Sequence, residues 1–223
     1  MTQTQWTAVD NYITDLLIPS DSALDATIQS TIDANLPKIN VAPNQGKLLH
    51  ILAQIQGARR ILELGTLAGY STIWLARALP PGGKLITLEA NPKHAEVARQ
   101  NIDRAGLTKI VEIRIGAALD TLPQLANERQ APFDFVFIDA DKVNIPDYFK
   151  WALKLTRRGS VIIVDNVIRK GAVIDADSSD ENIQGVRKFN RLLAVETRVK
   201  ATTIQTVGSK GYDGLTIALV IAD

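Results

Sequence analysis

The chain has no cysteine, which removes disulfides, thiolate zinc sites and cysteine nucleophiles together. It also lacks an excess of either charge: 25 Lys and Arg against 24 Asp and Glu leave a formal net charge of +1, with no basic run of five or more residues. Nucleic acid and anionic membranes are therefore not expected as partners. No apolar run of the kind a signal peptide needs stands at the N-terminus, so a cytoplasmic location is expected. Internal repeats, low-complexity tracts and Pro/Ser-rich linkers are missing as well. With 46% hydrophobic and 22% charged residues, the 223 residues suffice for one sizeable core and read as a single domain over 1–223. The expected partner is a small molecule.

Residues 1–58 read as a helical cap and residues 59–223 as an alternating core. Trp6, Val9, Ile13, Leu16 and Leu17 recur at helical spacing until Pro19, and Leu24, Ile28, Ile32 and Leu36 do so until Pro37. A third helix is expected after Asn44, ending near Gly57. From Arg59 the order is ILEL, a helix to Leu79, KLITLE, a helix opening on Asn91-Pro92, IVEIRI, a helix near Leu119, and then two very apolar strands. Strand-then-helix units of this kind predict a parallel sheet covered on both faces. TTIQTV and LTIALVIA, joined by a Gly-rich turn with no helix between them, predict an antiparallel hairpin at one sheet edge.

The two apolar strands, Phe133 to Ile138 and Val161 to Val164, each stop on an acid. FVFIDADK supplies Asp139, and VIIVDN supplies Asp165 followed by Asn166. Acids do not belong inside a doubly covered sheet, but they do belong at its carboxyl edge, where open α/β folds bind ligands. Two strand ends there offer three hard oxygen donors beside Lys142, the outline of a divalent-metal site with a base next to it. Taken singly, Asp139 and Asp165 read better as helix caps and Asn166 as a turn residue, and Lys142 can be a surface lysine. Their occurrence together at two strand ends is what capping does not explain. Asp141 reads as a cap or as a partner of Lys142.

The first strand-to-helix turn is ELGTLAGYST, where Gly65 and Gly69 allow a tight turn under a helix N-terminus. It is not the dinucleotide fingerprint, which from Gly65 would need glycines at Leu67 and Tyr70. Glu89 ends the second strand, where a Rossmann-like fold places the acid that holds ribose hydroxyls. Turn and acid together point to an adenosyl pocket. Glu63, an acid inside ILEL, must find donors or face a ligand, since burying a polar group unpaired costs ~2–7 kcal/mol; it is expected at the cofactor. His50 and His94 are read as structural, and Trp74 and Trp151 as core.

Taken together, GTLAGYS, Glu89, FIDADK and Asp165-Asn166 resemble the cation-dependent class I O-methyltransferases, the group that includes catechol and caffeoyl-CoA O-methyltransferases, and especially its small bacterial members. The resemblance spans about residues 38–221, including Gly46 in VAPNQG and the closing GYDGLTIAL. It implies a Rossmann-like, seven-stranded α/β sheet, mostly parallel with an antiparallel C-terminal hairpin, plus N-terminal helices. It also implies S-adenosylmethionine (SAM) as cofactor, contacted at Val41, Glu63, Gly65, Thr66, Ser71, Glu89, Ala118 and Asp139, with Glu89 on the ribose and Ala118 near the adenine. By the same resemblance Asp139, Asp165 and Asn166 hold a divalent cation, Mg²⁺ or else Mn²⁺ or Ca²⁺, Lys142 is the general base, and the chain forms a homodimer. Two positions depart from the pattern. Ala117 follows Gly116 where many relatives carry an acid, and Arg169-Lys170 follow DNVI where plant-type members often have a Trp.

The chemistry is consistent with that reading. A phenol with a pKa of ~10 is mostly protonated at neutral pH, and a cation with room for both oxygens of a vicinal diol lowers that pKa and fixes the acceptor. The expected activity is metal-dependent methyl transfer from SAM to a catechol-like small phenolic substrate. Two rivals stay open from sequence alone: an NAD(P)-dependent oxidoreductase, disfavoured by the missing third glycine and the lack of a Tyr-x-x-x-Lys pair, and a non-catalytic methyltransferase-like binding module.

Overall fold

Seven strands pair into one sheet in the computed structural model, which describes residues 2–223. In chain order they are β1 (Arg60–Leu64), β2 (Lys84–Glu89), β3 (Val111–Ile115), β4 (Phe133–Ile138), β5 (Thr156–Asp165), β6 (Val199–Gly208) and β7 (Gly211–Val220). The spatial order is β3-β2-β1-β4-β5-β7-β6. The pairs from β3 across to β5 are parallel, while β7 runs antiparallel to both β5 and β6. From β1 the chain winds outward through β2 and β3, then returns to place β4 on the other side of β1. The sheet therefore reverses its winding between β1 and β4, the place where such folds open a crevice at their strand ends.

Eight helices accompany the sheet among the described residues: α1 (Gln3–Leu17), α2 (Ser22–Asp33), α3 (Pro43–Gln56), α4 (Tyr70–Ala76), α5 (Pro92–Arg104), α6 (Ala118–Asn127), α7 (Ile145–Lys154) and α8 (Glu181–Val195). Alternation along the strands feeds two apolar cores. Leu62, Leu64, Val136 and Ile138 pack with Phe149 of α7 and Phe189 of α8. Ile61, Phe135, Phe137 and Ile163 pack on the other face with Leu49 of α3 and Ile73 of α4. Phe133 through Ile138 is buried at every position, as expected of a central strand covered on both sides.

The expected elements form, with differences in extent. The second helix ends at Asp33 rather than running to Pro37, since Asn35 turns left-handed (φ +53°). The helix after β1 ends at Ala76 rather than Leu79, because Pro80 and Pro81 follow and the chain leaves through tight bonds from Ala78 N–H to Leu75 O and from Leu79 N–H to Ala76 O. The third helix begins at Pro43, which as a first helical residue gives up an amide that would be unpaired there anyway. Residues 169–195, unassigned from sequence, form a 3-10 turn (Arg169–Ile174) and α8, whose buried Ile183, Val186 and Phe189 recur at helical spacing. Among the described residues no helix is long and apolar enough to cross a membrane.

Candidate active site

The carboxyl ends of β1, β2, β4 and β5 surround a cavity of about 500 Å³. Val41, Gly65, Thr66, Ser71, Glu89, Ala118, Asp139, Lys142 and Asn166 all line it. Of the residues expected from sequence to contact cofactor or metal or to act as base, only Glu63 and Asp165 do not. A second cavity, of about 280 Å³, lies beyond, and Asp165 and Asn166 form part of its wall. Asn166 thus faces both spaces. A further cavity of about 320 Å³, around Arg60, Lys84 and Phe133, opens at the opposite end of the strands and is remote from these groups.

The glycine turn is built by close approach. Gly65 has φ +95°, and a Cβ added to it would stand 2.0 Å from the Asp139 carbonyl oxygen, so any side chain there would push β4 away from β1. Glu89 fastens the turn. Its Oε2 accepts the Leu67 N–H at 2.8 Å and the Thr66 N–H at 3.3 Å, and its Oε1 accepts the Asn91 N–H at 2.9 Å. His94 Nδ1 lies 3.4 Å from Oε1, and the ring lines the same cavity. His94 thus stands beside Glu89, in keeping with its structural reading.

Glu63 takes the first of the two options open to a buried acid. It is fully buried, and its carboxylate accepts hydroxyl protons from Ser71 at 2.7 Å, Thr72 at 2.5 Å and Thr87 at 2.7 Å. Burial, with the Asp139 charge adding a smaller push, raises its pKa to about 7 against the pull of the three hydroxyls. Glu63 therefore stands behind the cavity wall and orients Ser71, which does line it.

Around the two acid-tipped strands the groups converge. Lys142 is 7% exposed and donates to Asp139 Oδ1 at 2.8 Å. Asp165 is 4% exposed; its Oδ2 accepts from Gln45 Nε2 of α3 at 2.7 Å and its Oδ1 from the Asn166 N–H at 2.8 Å. Burial, and next the charge of Asp139, raise the Asp165 pKa, while Lys142 pulls it down. Asn166 adopts a left-handed backbone (φ +58°), a conformation Asn tolerates better than most residues. Of the two readings of Asp141, capping rather than pairing with Lys142 is the one realised: it accepts from Asn144 N–H at 3.2 Å and Nδ2 at 2.8 Å and from the Tyr148 hydroxyl, so it anchors the start of α7.

Among the described residues no three His, Asp or Glu side chains gather as a metal cluster. The donor set instead comprises two carboxylates and one amide. Hard oxygen donors with an excess of negative charge suit a divalent cation of the Mg²⁺ type. The residues present fit that group.

A sheet of this winding, with a glycine turn strapped by a strand-end acid at its switch point, defines an α/β enzyme of the nucleoside-cofactor-binding class. The chain belongs to the O-methyltransferase family, whose model matches residues 18–221. It is 57% identical over 213 residues, 96% of each chain, to the catechol O-methyltransferase of Niastella koreensis. Its structure superposes with a TM-score of 0.97 on the O-methyltransferase from Bacillus cereus in complex with S-adenosylhomocysteine (SAH), at 60% identity over 98% of this chain and 100% of that one. It also matches, with a TM-score of 0.97 and 52% identity over the whole of both chains, a Streptomyces achromogenes O-methyltransferase involved in tomaymycin synthesis and bound to SAM. The protein is a SAM-dependent O-methyltransferase, and the oxidoreductase and non-catalytic readings are set aside.

Proposed function

We propose that this enzyme methylates one hydroxyl of a vicinal dihydroxy phenol and that Asp139, Asp165 and Asn166 hold a divalent cation for the purpose. The observation that carries this reading is the placement of two strand-end carboxylates and an amide where the two cavities meet. The relative from Niastella koreensis is itself named a catechol O-methyltransferase. When bound, the cation would supply Lewis acidity that lowers the pKa of a phenol from its usual ~10.

The chain's own residues do the rest. Glu89 is placed to accept the ribose hydroxyls of SAM while its backbone bonds keep the carboxylate fixed. Val41, Gly65, Thr66, Ser71 and Ala118 shape the remainder of that cavity, with Ala118 on the adenine side and Glu63 holding Ser71 in position. Asp139 lies at the end of the cofactor cavity and thus serves both ligands. Lys142, three residues on, takes the hydroxyl proton in its neutral amine form, having first given up its own proton to solvent. The methyl group then passes from the sulfonium to the oxygen, a step that cancels charge and is favoured by the walls' exclusion of water. Incubation with isotope-labelled SAM tests the reading: a vicinal diol should take up label at least tenfold faster than the matching monophenol, and equal labelling of the two would overturn it.

A further inference from the structure

The cavity beyond Asp165 and Asn166 is the acceptor side of the proposed reaction, and charged groups of both signs line it: Asp10, Asp165 and Asp213 with Lys170 and Lys210, among apolar wall from Leu48, Val207 and Leu215. Asp165 pairs with Leu215 of β7, and the β6–β7 turn that carries Lys210 lies farther out along the hairpin. The two lysines arrive from different segments. Lys170 sits between Arg169 and Gly171 in a run of three left-handed residues, with φ of +54°, +56° and +90°. Residues with side chains disfavour that conformation, and it persists where surrounding structure imposes it. Here Asp213 imposes it, its Oδ1 accepting the Ile168 N–H at 3.0 Å and the Arg169 N–H at 2.9 Å.

Lys210 rides on the turn between β6 and β7. Asp10 of α1 holds that turn by accepting the Ser209 N–H at 2.6 Å, and Gly208 makes the approach possible, since a Cβ there would come 2.5 Å from the same Asp10 oxygen. The Lys210 ammonium donates to the Lys38 carbonyl at 3.2 Å. Among the described residues neither lysine forms an ion pair. The acids of the cavity are already engaged: Asp10 by Asn44 Nδ2 and Ser209, Asp213 by three backbone amides, and Asp165 by Gln45 and Asn166. Although Lys210 is exposed as a residue, the protein around its ammonium desolvates it enough to lower its pKa, the condition under which a bound anion helps most.

We propose that the preferred acceptor carries a carboxylate on the side of its ring away from the reacting hydroxyls, and that Lys170 and Lys210 select for it. The proposal rests on the diol reading above. Its test compares a dihydroxybenzoate bearing vicinal hydroxyls with its methyl ester, in wild type and in the Lys170→Met/Lys210→Met variant, as the ratio of kcat/KM values for methyl transfer. Wild type should prefer the acid, and the double variant should lower that ratio roughly 3- to 30-fold, the worth of two partly exposed charge contacts. Added salt should erode the preference in wild type but not in the variant. Lys170→Arg/Lys210→Arg should retain it, which separates charge from packing; if the methionine pair does not fold, Lys170→Met alone, at an exposed position, carries the comparison. A ratio unchanged by loss of both charges, with both acceptors turned over, overturns the proposal and leaves the diol reading standing. Methyl transfer to neither acceptor by wild type overturns the diol reading and this proposal with it.

Discussion

Lys142 Nζ and Asp139 Oδ1 are 2.8 Å apart, so the side chain proposed to take the substrate's proton is bonded to one proposed to hold the cation. Only Oδ1 of that carboxylate is engaged by the lysine, so Oδ2 is left for the cation that Asp139 would hold.

Lys142→Ala is expected to leave cofactor affinity nearly intact and to lower the single-turnover rate roughly 10²- to 10⁴-fold, the usual worth of general-base catalysis. Raising the pH toward that of the free phenol should recover much of the loss, because solvent then removes the proton. A variant as fast as wild type at neutral pH would show that Lys142 is a bystander.

Glu89→Ala should weaken SAH binding by about 1–3 kcal/mol, as loss of hydrogen bonds to a charged group does. It also leaves the amides of Thr66, Leu67 and Asn91 without their acceptor, so the unliganded fold should melt lower as well. Titration calorimetry with SAH and a melting curve without it separate the two effects. An unchanged SAH affinity would remove Glu89 from the cofactor site.

Glu63 makes stability depend on pH with a definite sign. Its pKa rises from 4.5 to about 7 on folding, so between those values the folded chain holds a proton that the unfolded chain releases. The stability this contributes is fully present below about pH 4.5 and is lost as pH rises through 7. Urea unfolding of wild type and Glu63→Gln across pH 5 to 8 checks it: wild type should lose stability relative to the variant as pH rises. A difference that stays constant would contradict the assignment.

Much of this arrangement was legible from local chemistry. Apolar runs ending on Asp139 and Asp165 identified central strands and their ligand edge, because burial tolerates an acid only where the strand leaves the core. Glu89 was legible for the same reason. Glu63 was not: the hydroxyls that satisfy it lie on α4 and β2, and nothing in the linear sequence reveals that Ser71, Thr72 and Thr87 converge on one carboxylate. Gln45 was missed likewise, since its partner stands on another element and spacing carries no trace of contacts made in space. Asp141 turned on a choice between two neighbours, Lys142 and the start of α7, that only the direction of the backbone decides.

The central claim is that Asp139, Asp165 and Asn166 hold a cation required for methyl transfer. It is tested most directly by stripping the enzyme with chelator, verifying metal removal by elemental analysis, and measuring transfer of labelled methyl from SAM to a catechol before and after Mg²⁺ is added back, in wild type and in Asp165→Ala. The account predicts turnover abolished in the stripped wild type and restored by Mg²⁺, with Asp165→Ala needing far higher Mg²⁺ for any recovery. Full turnover by the verified metal-free wild type would contradict it.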